Sequence, residues 1–65
     1  MILIKQFQKV RLKTDELAVI VEILEPNKAF LADVKKGEED YETDEIHFED
    51  IKSVFVETEQ LLVTA

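Results

Sequence analysis

The alternation of apolar and polar residues along the chain predicts short β-strands rather than long helices. The clearest pair lies in the middle, where residues 17–24 are rich in β-branched side chains and residues 29–34 alternate. Between them, Glu25-Pro26-Asn27-Lys28 places Pro and Asn at the second and third positions of a β-turn. Two such runs around a short turn predict a β-hairpin.

Upstream of this hairpin, a further strand is predicted around Val10 and Leu12. These two residues alternate with Lys9, Arg11 and Lys13, which is typical of a half-buried strand with a cationic outer face. The polar residues 14–16 then connect this strand to the hairpin.

Downstream of the hairpin, a charged loop at residues 35–40 contains Gly37, which is available for a positive φ. Residues 41–48 return to a period of two and predict a strand with Ile46 and Phe48 on one side. The acidic residues that follow suit the start of a helix, so residues 48–51 are expected to form a single helical turn.

The end of the chain is less clearly patterned. Residues 53–57 predict a last strand, and residues 58–65 fit no single element. A short C-terminal helix over residues 57–63 is an alternative, because this stretch contains good helix formers. Five short strands with one late helical turn fit a small barrel better than a helical bundle.

Both faces of the central hairpin carry apolar side chains. Residues 17, 19, 21 and 23 are assigned to one face of its first strand, Ile20 and Leu24 to the other, and Leu31 to the second face of the next strand. A sheet with one solvated face would carry polar residues at these three positions. Either the apolar chain ends at residues 1–4 and 61–63 cover them, or they form an interface with another protein.

The order of these elements resembles SH3-like barrels, in particular small bacterial domains of unknown function. The likeness covers about residues 7–57 and rests on framework segments: Val10-Arg11-Leu12, Ala18-Val19-Ile20-Val21-Glu22-Ile23, Ala32-Asp33-Val34 and Glu49-Asp50-Ile51. It implies an all-β fold, a small five-stranded SH3-like barrel with one short helical turn before the last strand. Relatives commonly carry Gly before the second strand, where this chain has Glu16-Leu17-Ala18. No activity follows from the resemblance.

Length and composition restrict the possibilities further. The 65 residues are enough for one domain, residues 1–65, whose small core leaves stability marginal. Cysteine is absent, which removes disulfides and thiolate zinc sites, so oligomerisation is the remaining way to add stability. No apolar run approaches the roughly 20 residues that span a bilayer, and Lys5 interrupts the apolar start before a signal-peptide core, so we expect a cytoplasmic protein.

The net charge of −7 is unevenly distributed. Residues 1–32 hold five basic and four acidic side chains, whereas residues 33–65 hold three basic and eleven acidic ones. Because nucleic acids gain affinity by counterion release against Lys and Arg, this balance disfavours a nucleic-acid partner.

The acidic run at residues 38–45 is the most unusual feature of the sequence. It could bind Ca²⁺, dock a basic partner, or be a solvated edge that deters aggregation. The spacing lacks the D-x-[DN]-x-[DN]-G pattern of a calcium loop. Its candidate contact residues are Glu38, Glu39, Asp40, Glu42 and Asp44.

No combination of residues predicts catalysis, a cofactor or a metal. His47 lies among carboxylates, but no Ser, Cys or second His is placed to complete a nucleophilic arrangement. We therefore expect a non-enzymatic protein–protein interaction module with an unknown partner, which could also form a homodimer. The alternative is a nucleic-acid- or ribosome-associated SH3-like barrel that uses a cationic stripe: Lys5, Lys9, Arg11 and Lys13.

Overall fold

The computed structural model describes residues 3–55, which form one antiparallel sheet of five strands. The strands are β1 (Lys9–Leu12), β2 (Leu17–Glu25), β3 (Ala29–Lys35), β4 (Tyr41–His47) and β5 (Ile51–Val54). A single 3-10 turn, Phe48–Asp50, precedes β5. The all-β fold and the late helical turn are confirmed. The predicted tail and its helical alternative lie outside the described residues.

The strand order is β4-β3-β2-β1-β5, so consecutive strands are neighbours except that β5 returns to pair with β1. The sheet does not close into a barrel, and β4 and β5 are its two edges within residues 3–55. The one helical segment in this range is a single turn, so no helix there could cross a membrane.

The predicted hairpin of β2 and β3 is confirmed, together with its turn. The Lys28 N–H donates to the Glu25 carbonyl at 2.9 Å, and Asn27 has a φ of 55°, a left-handed conformation that Asn tolerates. The Asn27 Oδ1 accepts the Ile4 N–H at 2.9 Å. This bond holds the N-terminal segment against the turn.

The core lies on one face of the sheet, here called the inner face. Its buried side chains come from the N-terminal segment and four strands: Ile4, Val10, Leu12, Ala18, Ile20, Phe30, Ala32, Val34 and Ile46. The β5 residues Ile51 and Val54 pack against this cluster. Because Ile4 is buried, the N-terminal segment contributes to this core. It lies with Ile20 on the inner face, so the expected cover of Leu24 and Leu31 by the chain ends is not shown. Residues 1–2 and 61–63 lie outside the described part.

The predicted faces of β2 are wrong. Ala18 and Ile20 are buried, while Leu17 and Val19 are half-buried on the opposite, outer face. Ile20 lies opposite Ala32 in the core and therefore offers no surface to a partner.

A bulge explains the second half of this error. The register of β2 against β3 shifts between Ile20 and Glu22, which leaves Val21 as the extra residue. After the bulge Ile23 packs against the core, and Leu24 is 44% exposed. Leu31 is half-buried beside Glu22 on the outer face. Leu24 and Leu31 thus remain accessible, whereas Ile20 does not.

Three smaller predictions are also corrected. Gly37 has no positive φ, and the left-handed residues within residues 3–55 are instead Phe7, Asp15 and Asn27. Phe48 starts the 3-10 turn and is 42% exposed, so it does not share the core side of Ile46. The last strand begins at Ile51, two residues earlier than predicted, because Ile51 already pairs with Leu12 of β1.

Candidate functional site

The acidic residues lie together on strand β4 and the loop before it. β4 is an edge strand, and six of its seven residues are exposed. The structure brings all five predicted acidic residues to this edge, together with one more: Glu38, Glu39, Asp40, Glu42, Asp44 and Glu45. Residues 38–45 contain no basic side chain. We call this surface the acidic edge.

Two carboxylates of β4 lie on its inner face, next to the core. Glu42 and Asp44 lie on the inner face with Ile46, opposite Val34 and Ala32 of β3. These carboxylates therefore border the open side of the core. Charges that point inward on an edge strand are a known means of preventing unwanted strand pairing.

The backbone of β4 leaves hydrogen-bonding groups pointing away from the sheet. The Phe48 N–H donates to Lys28, and Asp40 accepts from Lys36, so the even-numbered residues point toward β3. The groups of Thr43 and Glu45 therefore point outward. No strand lies on that side within residues 3–55.

A cleft of about 310 Å³ opens between β4 and the loop that joins β1 to β2. Leu12, Val34 and Ile46, which are themselves buried, form the apolar part of its lining, and the other seven lining residues are polar or charged. Lys36 and Glu16 lie at its rim.

Lys36 connects the rim of the cleft to the acidic edge. Its Nζ lies 3.1 Å from Glu16 Oε2 and 4.0 Å from Asp44 Oδ2. A hydrogen bond from the Thr14 hydroxyl and a second one from Lys36 lower the pKa of the Glu16 carboxyl. The bond to Glu16 in turn raises the pKa of the Lys36 ammonium. Both side chains are therefore charged at neutral pH.

His47 lies at the end of the acidic edge. Its Nε2 is 3.3 Å from Glu45 Oε2, and its backbone N–H donates to Asp50 Oδ2 at 2.9 Å, which stabilises the 3-10 turn. The imidazole is exposed. Across residues 3–55, no three His, Asp or Glu side chains are arranged to hold a metal ion.

The predicted cationic stripe is only partly formed. Lys9 and Arg11 lie on β1, while Lys5 precedes the strand and Lys13 follows it. Lys9 and Arg11 each lie 5.8 Å from the centre of the Phe55 ring. Phe55 was not identified from the sequence as part of this surface. Had the last strand been predicted to pair with β1, Phe55 would have been expected beside these cations.

Searches against protein-family models, curated proteins and solved structures give no match to this chain. The interpretation of the acidic edge and of the cationic side therefore depends on their geometry and charge.

Proposed function

We propose that the protein is a non-enzymatic interaction module, built as an SH3-like barrel, that binds an extended basic segment of a partner protein along β4. The observation that carries this proposal is the combination of outward backbone groups on one edge strand with six carboxylates, three on that strand and three in the loop before it.

Three features of the architecture support the SH3-like assignment. The first strand lies between the second and the fifth, and a 3-10 turn leads directly into the last strand. Register shifts in β2 and at Arg11/Leu12 of β1 add the local bending that a barrel needs.

Strand addition is the recognition mode that fits the edge. A peptide that pairs with an exposed strand gains affinity from main-chain hydrogen bonds and specificity from pockets for alternate side chains. Thr43 and Glu45 supply the outward donors and acceptors, and the cleft lies on the inner side of the same strand. Side chains of an added strand that point to the inner side would therefore face this cleft and the carboxylates of Glu42 and Asp44.

The charge of the edge selects the partner. Two copies of β4 placed side by side would oppose two runs of carboxylates, which disfavours a homodimer through this edge. A basic segment is instead attracted, and complementary charge mainly increases the association rate. Each exposed ion pair adds at most about 1 kcal/mol, so strand pairing has to supply most of the affinity. We therefore expect a partner segment that alternates basic and apolar residues.

A titration with a synthetic peptide tests this proposal. The probe is a peptide as long as β4 that alternates Lys and Val, with binding followed by isothermal titration calorimetry. Thr43→Pro removes one outward N–H and the hydroxyl bond to Asp33 of β3, but it leaves the backbone bonds to β3 intact. We expect affinity to fall by about tenfold, which corresponds to about one hydrogen bond.

Matched controls separate strand pairing from general attraction. Thr43→Val removes the hydroxyl but keeps the N–H and should bind as the wild type does. Glu42→Gln should weaken binding more than Glu25→Gln, because Glu25 lies at the turn between β2 and β3. Equal binding of a peptide that alternates Glu and Val, or of the Thr43→Pro variant, would contradict the proposal.

A further inference from the structure

A second surface, formed by the N-terminal segment, β1 and the residue after β5, combines exposed aromatic rings with cations. We call it the aromatic–cationic face, and it consists of Lys5, Phe7, Lys9, Arg11 and Phe55. We propose that this face binds single-stranded nucleic acid, with bases stacked on the two Phe rings and phosphates beside the cations.

Phe7 is the first reason for this proposal. Its φ of 68° is a genuine outlier for a bulky side chain, and such strain clusters at functional sites. The backbone is held there because the Phe7 N–H donates to Ile20 O at 2.6 Å and the Ile20 N–H donates to Gln8 O at 2.9 Å. The Phe7 side chain is nevertheless 71% exposed, so core packing does not explain an aromatic residue here.

Phe55 supplies a second ring close to β1. Its N–H donates to Lys9 O at 2.9 Å, which places the ring beside the side chains of Lys9 and Arg11. The ring is 39% exposed. An aromatic ring next to Lys and Arg is the combination with which proteins bind single strands, because every base offers a face for stacking.

The cations of this face have no carboxylate partners within residues 3–55. Among the cations of residues 3–55, Lys28, Lys36 and Lys52 each form an ion pair, whereas the remaining five form none: Lys5, Lys9, Arg11, Lys13 and Lys35. Within residues 3–55, therefore, no carboxylate competes with an anionic ligand for Lys5 and Lys9.

A surface cavity of about 380 Å³ joins these groups. Its lining consists of Lys5, Gln6, Phe7, Gln8, Lys9 and Phe55 and contains no carboxylate. The Gln6 side chain donates to Val21 O at 2.9 Å, which fixes one wall of the cavity. Its size is in the range of ligand sites, and aromatic faces with amides and cations suit a nucleotide better than an acidic peptide.

The net charge of −7 opposes this binding, and Glu38 of the acidic edge lines one surface concavity together with Arg11. The cavity lined by Lys5, Phe7 and Lys9 contains no carboxylate, so a phosphate would lie there. If the cations of this face neutralise about three phosphates, the logarithm of the association constant should fall with the logarithm of the salt concentration with a slope of about −2.

Fluorescence anisotropy of a labelled oligothymidine tests the proposal. Phe7→Gly relieves the backbone strain, so the variant should melt at the wild-type temperature or above it while affinity falls about tenfold, the loss of roughly one stacked base. Phe48→Leu is the matched control, because Phe48 is also exposed but lies in the 3-10 turn. Lys9→Gln should weaken binding, and Lys28→Gln should not.

Three results would overturn the proposal. The first is that the wild type does not bind oligothymidine at physiological salt, and the second is that the wild type and Phe7→Gly bind it with equal affinity. The third is that the wild type binds polyglutamate as tightly as oligothymidine, which would assign the face to acidic protein segments. Binding of the Lys–Val peptide to β4 should be unchanged by Phe7→Gly, so the two surfaces are tested independently.

Discussion

The ammonium of Lys36 lies 3.1 Å from a carboxylate oxygen of Glu16. This contact joins the end of β3 to the loop between β1 and β2, and the same ammonium lies 4.0 Å from Asp44 on β4. One lysine thus fixes the rim of the cleft and lowers the repulsion at the acidic edge.

The pH dependence of stability should report this contact. The pKa of Glu16 is lowered from its ordinary 4.5, so its stabilisation is present above that value and is lost as pH falls through the folded-state pKa. The pKa of Lys36 is raised from 10.5, so its contribution is present below 10.5 and is lost as pH rises further.

Urea unfolding of the wild type and Glu16→Gln checks this prediction. We expect the difference in free energy of unfolding to be present at neutral pH and to disappear well below pH 4.5. Glu25→Gln is the control, because Glu25 pairs with Lys28 at 3.8 Å and both side chains are largely exposed. If the difference in free energy of unfolding between the wild type and Glu16→Gln stays constant with pH, the contact between Glu16 and Lys36 is not ionic.

The two β2 residues that sequence reasoning placed on one face should respond differently to truncation. Ile20→Ala opens a cavity in the core and should reduce the free energy of unfolding by about 2–5 kcal/mol. Leu24→Ala changes an exposed side chain and should cost less than about 1 kcal/mol. Equal losses in chemical denaturation would contradict the bulge at Val21.

Substitutions at Asn27 should separate its two roles. Asn27→Gly keeps the left-handed φ but loses the bond from the Ile4 N–H, which costs about 1 kcal/mol. Asn27→Ala loses the bond and strains the backbone, which adds about 1–2 kcal/mol. Asn27→Asp retains the acceptor and should be closest to the wild type. Thermal melting of the three variants gives this order, and an Ala variant as stable as the Gly variant would exclude the conformational role.

Local pattern was enough to predict most of the strands and turns. The strand β2 and the Pro26–Asn27 turn each depend on residues that are adjacent in the sequence, and both are confirmed. The exposed acidic residues were also found, because a run of carboxylates cannot be buried without partners.

Features that depend on long-range pairing were not predictable from the sequence. The bulge at Val21 reverses the faces of β2 from Glu22 onward, and no single residue there signals it. Phe7 takes a conformation that its residue type disfavours, so pattern reasoning has no means of finding it. Phe55 meets Lys9 only because β5 pairs with β1.

Amide hydrogen exchange of β4 tests the central claim most directly. The outward amides of Thr43 and Glu45 should exchange rapidly in the free protein and become protected when the Lys–Val peptide is bound. The amides of Asp44 and Ile46, which point toward β3, serve as internal references because they should be protected in both states. Binding without new protection at Thr43 and Glu45 would contradict strand addition along the acidic edge.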